Sequence, residues 1–289
     1  MRTLLIAIAL LAPSVPAFSQ DQVIDTHVHL WNGEASIREY EAQLKAAGQP
    51  VSRFGAMWFG GPVNQALAGD PGKIRANNDA LIALAAKHPD MIPIATVHPY
   101  DGDSALAEVT RVASKGVKLL KIHPHTQKFD ADDPRVLALV KRAGEAGLIV
   151  VMDNANILPG DSEKLFNLAL AAPKTKFIFA HMGGLNFRFW NVLALARTAE
   201  GLFANNIYFD ISASVVIAAD SPIEEEYVWT IRNVGIDHVL LASDFPQFSL
   251  PQTLAAFAKL DLTDEEQAKI RFGNAQKLFG PRPEAASKR

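Results

Sequence analysis

The sequence predicts an α/β fold, a distorted (β/α)8 barrel carrying a short C-terminal helical extension. Three observations predict it. Strand-like and helix-like segments alternate from Val23 to about Leu260, which argues for parallel strands joined by helices. The strand-like runs number eight, and the whole series fits the roughly 250 residues such a barrel takes. Several runs (VIDTHVH, GVKLLKIHP, GLIVVMDN, KFIFAHMG and HVLLASDFP) are apolar stretches that close on His or Asp, as barrel strands do at their C-terminal rim. Equipped strand ends at both extremes of the chain favour closure over an open doubly wound sheet, because only a ring brings the first and last strands together.

In chain order, MRTLLIAIALLAPSVPAFSQ has the form of a secretory signal: Arg2, an apolar run from Leu4 to Leu11, Pro13 and Pro16, then the small residues Ala17 and Ser19. Its apolar core is shorter than the roughly 20 residues that span a bilayer. The expected organisation is therefore a signal at 1–19, a barrel at 20–280 and a polar tail at 281–289, in a periplasmic or secreted protein. The strands are VIDTHVH, RFGAMWF, IPIATVHP, GVKLLKIHP, GLIVVMDN, KFIFAHMG, IYFDISA and HVLLASDFP. Between them, segments such as PRVLALVKRAGEAG and FWNVLALARTAEGL repeat apolar residues three and four apart, the helical period. Pro134 opens one helix, while Gly116 and Gly147 close helices just before strands. After the eighth unit, Thr263 and Glu266 have the spacing of a capping box, and Gly273 with Asn274 is expected to break the extension into two short helices.

Composition narrows the partners. The chain of 289 residues is 49% hydrophobic and 20% charged, enough for a sizeable core. A net charge of -3 and the lack of a Lys/Arg run leave no electrostatic footprint for nucleic acid or an anionic membrane. A small molecule is the expected partner, with no membrane contact once the signal is cleaved; self-association stays open. Zero cysteines exclude disulfides and restrict any metal to nitrogen and oxygen ligands.

The chemistry concentrates in the strand ends. Asp25, His27 and His29 alternate and so share one face of the first strand. Two such imidazoles either grip a metal ion or are satisfied by hydrogen bonds. Asp25, one step deeper, is placed to accept a proton from a ligand imidazole, which tilts the choice toward metal. His181 precedes Gly183 and Gly184; beside His27 and His29 it becomes a ligand or a general acid/base. Asp244 ends a wholly apolar run, where an unpaired buried carboxylate is costly, so a metal or a protonated His has to compensate it. Lys121, His123 and His125 share a face of the fourth strand. His123 is expected to touch substrate, His125 to be solvated, and Lys121 to form an interior ion pair with Asp25 or Asp210. Asp210 is itself a candidate partner for a ligand. Among the rim aromatics, Trp31 is expected to help line an apolar substrate pocket, and Arg188 either to pair with a substrate carboxylate or to sit in a surface ion pair.

Taken together, DTHVHLW, GVKLLKIHPHTQ, FIFAHMGG, LLASDFP and the closing IRFGNAQKLFG resemble the amidohydrolase superfamily, in the branch often called amidohydrolase family 2. The resemblance spans nearly all of the chain after the signal. It implies a distorted TIM barrel with one divalent metal, most often zinc, held by His27 and His29. It further implies His181 as acid/base or ligand and Asp244 as ligand or base. The branch usually has a ligand His at the end of strand five, where this chain has Asp153. A site of two His and two Asp remains chemically sound for zinc, and its added oxygen tilts preference toward manganese.

These expectations give an exported metal-dependent hydrolase of a small carbonyl compound (lactone, ester or amide), working through a metal-activated water. Two alternatives stand beside it: a metal-dependent decarboxylase of the same branch, needing Arg188 or Arg53 as a carboxylate anchor, and a non-catalytic periplasmic binding protein.

Overall fold

A computed structural model describes residues 22–60 and 64–281; the expected signal at 1–19 and residues 282–289 of the expected tail lie outside the described residues. Among the described residues, eight parallel strands run in sequence order around a ring: β1 (Ile24–His29), β2 (Arg53–Met57), β3 (Met91–Thr96), β4 (Leu119–Ile122), β5 (Ile149–Met152), β6 (Lys176–Phe179), β7 (Ile207–Asp210) and β8 (Val239–Leu240). Backbone bonds then join the last strand to the first. The N–H of Thr26 donates to the carbonyl of Leu241 (3.1 Å), that of His29 to Phe245 (2.8 Å), and that of Asp244 to His27 (2.9 Å).

Helices cover the outside of the ring, and local sequence explains where several of them start. The helix Pro134–Glu145 buries Val136, Leu139, Val140 and Ala143, a stripe at helical spacing, and the side chain of Asp133 accepts the N–H of Arg135 to cap it. Asp70 and Ser249 cap Pro71–Ala85 and Leu250–Phe257 in the same way, each just before a proline-bearing first turn. At the C-terminal end, Thr263 and Glu266 form the expected capping box. The expected break is a π-helical turn, Lys269–Gly273, between the helices Asp264–Ala268 and Asn274–Phe279. Asn274 donates from Nδ2 to the carbonyls of Ile236 (2.7 Å) and Val239 (2.8 Å), which fastens this extension to the foot of β8.

Two departures from the sequence expectations bear on function. Strands β4 and β5 end just before His123 and Asp153, and β6 ends two residues before His181, so the polar ends leave the ladder and stand above it. The helix expected from Phe189 to Leu202 is instead an irregular 3₁₀ segment, Ala180–Asn191, followed by the short helix Val192–Ala196. Positive φ at His181, Met182, Gly183 and Gly184 prevents regular helix there, and Phe187 and Trp190 turn inward to bury their rings.

Beneath the rim, Asn78 ties the helix Pro71–Ala85 to β3. Its Oδ1 accepts from Trp58 Nε1 (2.9 Å) and the N–H of Thr96 (3.1 Å), and its Nδ2 donates to the carbonyl of Thr96 (2.8 Å) and to Glu108 (2.9 Å). Replacing Asn78 with Ala strands two buried donors and should lower the unfolding free energy by about 3 kcal/mol. Denaturant titration measures this, and a loss below about 1 kcal/mol would mean that water substitutes for the amide.

Candidate active site

The two histidines of β1 are held in one tautomer by what lies behind them. Nδ1 of His27 is 3.0 Å from Oδ2 of Asp210, and Nδ1 of His29 is 2.7 Å from the carbonyl oxygen of Phe59. Both partners only accept, so each Nδ1 carries the hydrogen and each Nε2 is left bare. The bare nitrogens face one another at 3.2 Å. Asp244 Oδ1 stands 3.4 Å from the first and 3.2 Å from the second, and it is buried without a hydrogen-bond partner among the described residues. Burial, reinforced by Lys121, pushes His27 down to about 4 against the pull of Asp210 and Asp244, so the ring is neutral at ordinary pH.

Three acceptor atoms thus converge in a buried place with no proton shared among the three, an arrangement that calls for a cation. Tetrahedral donors about 2.0–2.1 Å from zinc are roughly 3.3 Å apart, which matches the observed triangle. The donor set therefore fits a divalent ion held by His27, His29 and Asp244. Donor atoms of His27, His181 and Asp244 also lie within 4.8 Å of one another, so His181 borders the same point.

His181 itself is prepared differently. Its Nε2 is 3.1 Å from Asp153 Oδ1, and its Nδ1 is 2.9 Å from the hydroxyl and 3.3 Å from the carbonyl of Ser212. Burial alone would push this imidazole down, but the Asp153 carboxylate outweighs it and holds the ring up to about 9. His181 is an imidazolium at neutral pH, whereas Asp244 is held below the usual carboxylate range by the neighbouring histidines despite its burial. A charged acid and an ionised base flank one point. His181 and Asp244 both sit at positive φ, 62° and 65°. That backbone region costs a non-glycine residue on the order of 1–3 kcal/mol and recurs at functional sites.

Above the floor lies a cavity of about 430 Å³. Its floor includes His27, His29, Lys121, Asp153, His181 and Asp244, with His123 on the wall. Burial pushes His123 down to about 4, so it presents a neutral ring. Ile157, Leu185 and Ile217 rise around the mouth, 75%, 63% and 50% exposed, and Phe248 joins them. Glycine keeps the approach clear: a Cβ on Gly60 would meet the His29 ring at 2.7 Å, and one on Gly184 would meet the Ala155 carbonyl at 2.3 Å.

Several expected residues are placed elsewhere or otherwise engaged. Arg188 lies outside the cavity lining, its guanidinium bound to Glu226 at 2.7 and 2.6 Å on the surface, because it falls on the outer side of the irregular 3₁₀ segment. Arg53 starts β2 at the foot of the barrel and donates to the carbonyl of Gly280. Trp31 packs against His29, its ring tilted 42° with centroids 5.8 Å apart, and is not among the cavity residues. Asp153, expected as a ligand, is engaged by His181 at 3.1 Å and His123 at 3.5 Å. Asp25 does not serve an imidazole: it accepts from the hydroxyls of Tyr40 and Ser243 and from the N–H groups of His27 and Ser243. Asp210 performs that service instead. The apolar collar escaped the sequence argument, although Ile157, Leu185 and Ile217 each follow an equipped strand end within a few residues.

Comparison with known proteins agrees with this architecture. A family profile described as Amidohydrolase matches residues 24–280. No curated protein sequence matches the chain. Among solved structures, 5-carboxyvanillate decarboxylase from Sphingomonas paucimobilis superposes with a TM-score of 0.68 at 17% identity, covering 90% of this chain and 99% of that one. The 2,6-dihydroxybenzoate decarboxylase from Rhizobium gives 0.66 at 18%, covering 90% and 98%. A dihydroxybenzoic acid decarboxylase from Polaromonas, solved with bound manganese, gives 0.64 at 16%, covering 90% and 97%. At these identities the likeness concerns the fold.

Two outcomes follow from the geometry. Replacing Asp210 with Ala frees the His27 ring and should weaken divalent-ion binding by about 10- to 100-fold in calorimetric titration, while Arg188→Ala leaves it unchanged. In the metal-free protein, the raised His181 pKa contributes stability that is complete below the unfolded value of 6.5 and is lost as pH rises through about 9. Asp153→Asn should flatten that decline in denaturant melts recorded between about pH 6 and about pH 10; an unchanged slope would place its source elsewhere.

Proposed function

The chain belongs to the amidohydrolase family, and from that premise we propose that it is an exported, divalent-metal-dependent hydrolase of a small carbonyl compound such as a lactone, ester or amide. One observation carries the proposal: two bare imidazole nitrogens and an orphaned carboxylate oxygen meet beside a fixed imidazolium. His27, His29 and Asp244 would hold the ion. When bound it supplies Lewis-acid polarisation of a carbonyl and makes water easier to deprotonate. Zinc suits the two nitrogens and the tetrahedral spacing; manganese, present in the Polaromonas structure, is the alternative.

The residues divide the remaining work. Asp244, ionised and without a dedicated proton donor, accepts a proton from the water that adds to the carbonyl carbon. His181, whose proton lies between Nε2 and Asp153, delivers it to the leaving oxygen or nitrogen. His123 offers a neutral ring to the substrate on the wall, and the collar of Ile157, Leu185 and Ile217 receives its apolar part.

Decarboxylation is the second reading, favoured by the decarboxylases that share the fold. Against it, both arginines the sequence offered as carboxylate anchors, Arg188 and Arg53, are engaged away from the cavity. Product analysis separates the two: hydrolysis incorporates one solvent oxygen from ¹⁸O-water, and decarboxylation releases carbon dioxide without it. On a panel of lactones, esters, amides and aromatic acids, we expect ¹⁸O incorporation with zinc or manganese present. Asp244→Asn should then lower kcat by about 10³-fold in a protein that still folds, checked by circular dichroism. Carbon dioxide as the product, or full activity in that variant, would overturn the hydrolytic assignment.

A further inference from the structure

Lys121 is the one group on the cavity floor that the scheme above leaves without a task. The residue is 1% exposed, yet it borders the same cavity as His27, His181 and Asp244. Among the described residues its Nζ makes a single hydrogen-bond contact, 3.5 Å from His27 Nε2, at the outer limit for such a bond. The interior ion pair expected from sequence is not formed: no carboxylate oxygen of the described residues lies within the 4.0 Å that defines one. Lysine carries up to three N–H donors, so most of its capacity is turned to the cavity rather than to other side chains.

Three of the four surrounding carboxylates are already occupied, and the fourth, Asp244, is the one that would hold the ion. Asp210 takes His27, Ser212 and the N–H of His181. Asp153 takes His181 and His123. Asp25 is saturated by Tyr40, Ser243 and His27. A substrate in the cavity brings an acceptor within reach of Lys121, and the position of the lysine beside His27 and Asp244, which would hold the ion, makes that acceptor the reacting oxygen. Among the described cavity residues, Lys121 is also the sole lysine or arginine.

We propose that Lys121 is a catalytic residue whose N–H groups receive the carbonyl oxygen of the substrate as it gains negative charge. The assignment rests on the hydrolytic reading. Water adds to the carbonyl carbon, its proton passes to Asp244, and the π electron pair moves onto the oxygen facing Lys121. When the pair returns, the bond to the leaving group breaks and that group departs with the proton of His181. The proton on Asp244 then restores His181, so the net change is the addition of one water. The substrate enters carbonyl first, its apolar body against Ile157, Leu185, Ile217 and Phe248.

The test uses phenylphosphonate, which pairs a tetrahedral oxyanion with an apolar ring, and benzamide, its neutral planar counterpart. Both are titrated calorimetrically into the zinc-loaded wild type, Lys121→Met and Lys121→Arg. Met keeps the length without the donors and should leave the thermal melt and the zinc stoichiometry intact. We expect Lys121→Met to weaken phenylphosphonate by at least about tenfold, to leave benzamide within about twofold, and to lower kcat by about 100-fold with KM little changed; Arg should restore part of each loss. An unchanged phenylphosphonate affinity with zinc retained would overturn the assignment. So would loss of zinc from Lys121→Met, which would make the lysine a support for the ion, or a wild type that does not bind phenylphosphonate. The hydrolytic reading fails separately, if no compound on the panel gains solvent oxygen, and the phosphonate titration still reads Lys121 in that case.

Discussion

The site depends on the bond between Asp210 and Nδ1 of His27. A single carboxylate at the end of β7 fixes the tautomer of an imidazole on β1, and its other oxygen accepts the N–H of His181 above β6 and that of Ser212. Burial works against ionising Asp210, but His27 and the bonds from His181 and Ser212 hold its carboxyl far below the usual range. An acceptor on Nδ1 forces the lone pair of His27 onto Nε2. The Phe59 carbonyl does the same to His29, and only then do two lone pairs meet Asp244. Reversing either tautomer would place an N–H where an ion should lie.

Ring closure turns these local choices into a site. Asp244 belongs to the last strand unit and is brought to His27 by the same bond that shuts the barrel, its own N–H donating to the His27 carbonyl at 2.9 Å. The positive φ at Asp244 turns the chain sharply beyond β8, and the side chain meets the donors of β1. Asp25 reinforces this seam by accepting both the backbone and the hydroxyl of Ser243. What the sequence suggested as support for an imidazole is thus support for barrel closure, and the two roles are separated by one step along β1.

Much of the fold was legible because its signals are local and repeated. Eight apolar runs, their order, the capping box at Thr263 and the break near Gly273 depend on period, turn chemistry and nearest neighbours, and each has its counterpart in the structure. The convergence of His27, His29, His181 and Asp244 was legible because residues just past parallel strands share the rim. Pairings within the rim were not. Parity puts Lys121 and Asp210 on the inward side, but which carboxylate takes which imidazole depends on heights differing by a few ångströms around the ring. Arg188 illustrates the same gap: its place two residues from a buried Trp could not be resolved until the helix expected there proved irregular.

The three carboxylates at the rim show why such pairings matter more than composition. Chemically alike and similarly buried, they are separated in role by their nearest nitrogen. Asp153 faces an imidazole with both nitrogens bound to acceptors and so stores a proton on His181. Asp210 faces an imidazole whose far nitrogen is bare and so exports basicity to the centre. Asp244 faces two bare nitrogens and has no proton to share with either, which leaves a cation as the natural complement. A buried cluster of acceptors opposes folding, since nothing in the unfolded chain holds them together or keeps them dry. An ion that binds only the folded arrangement offsets that opposition by mass action, so the feature that equips the barrel for catalysis also couples its stability to the ion.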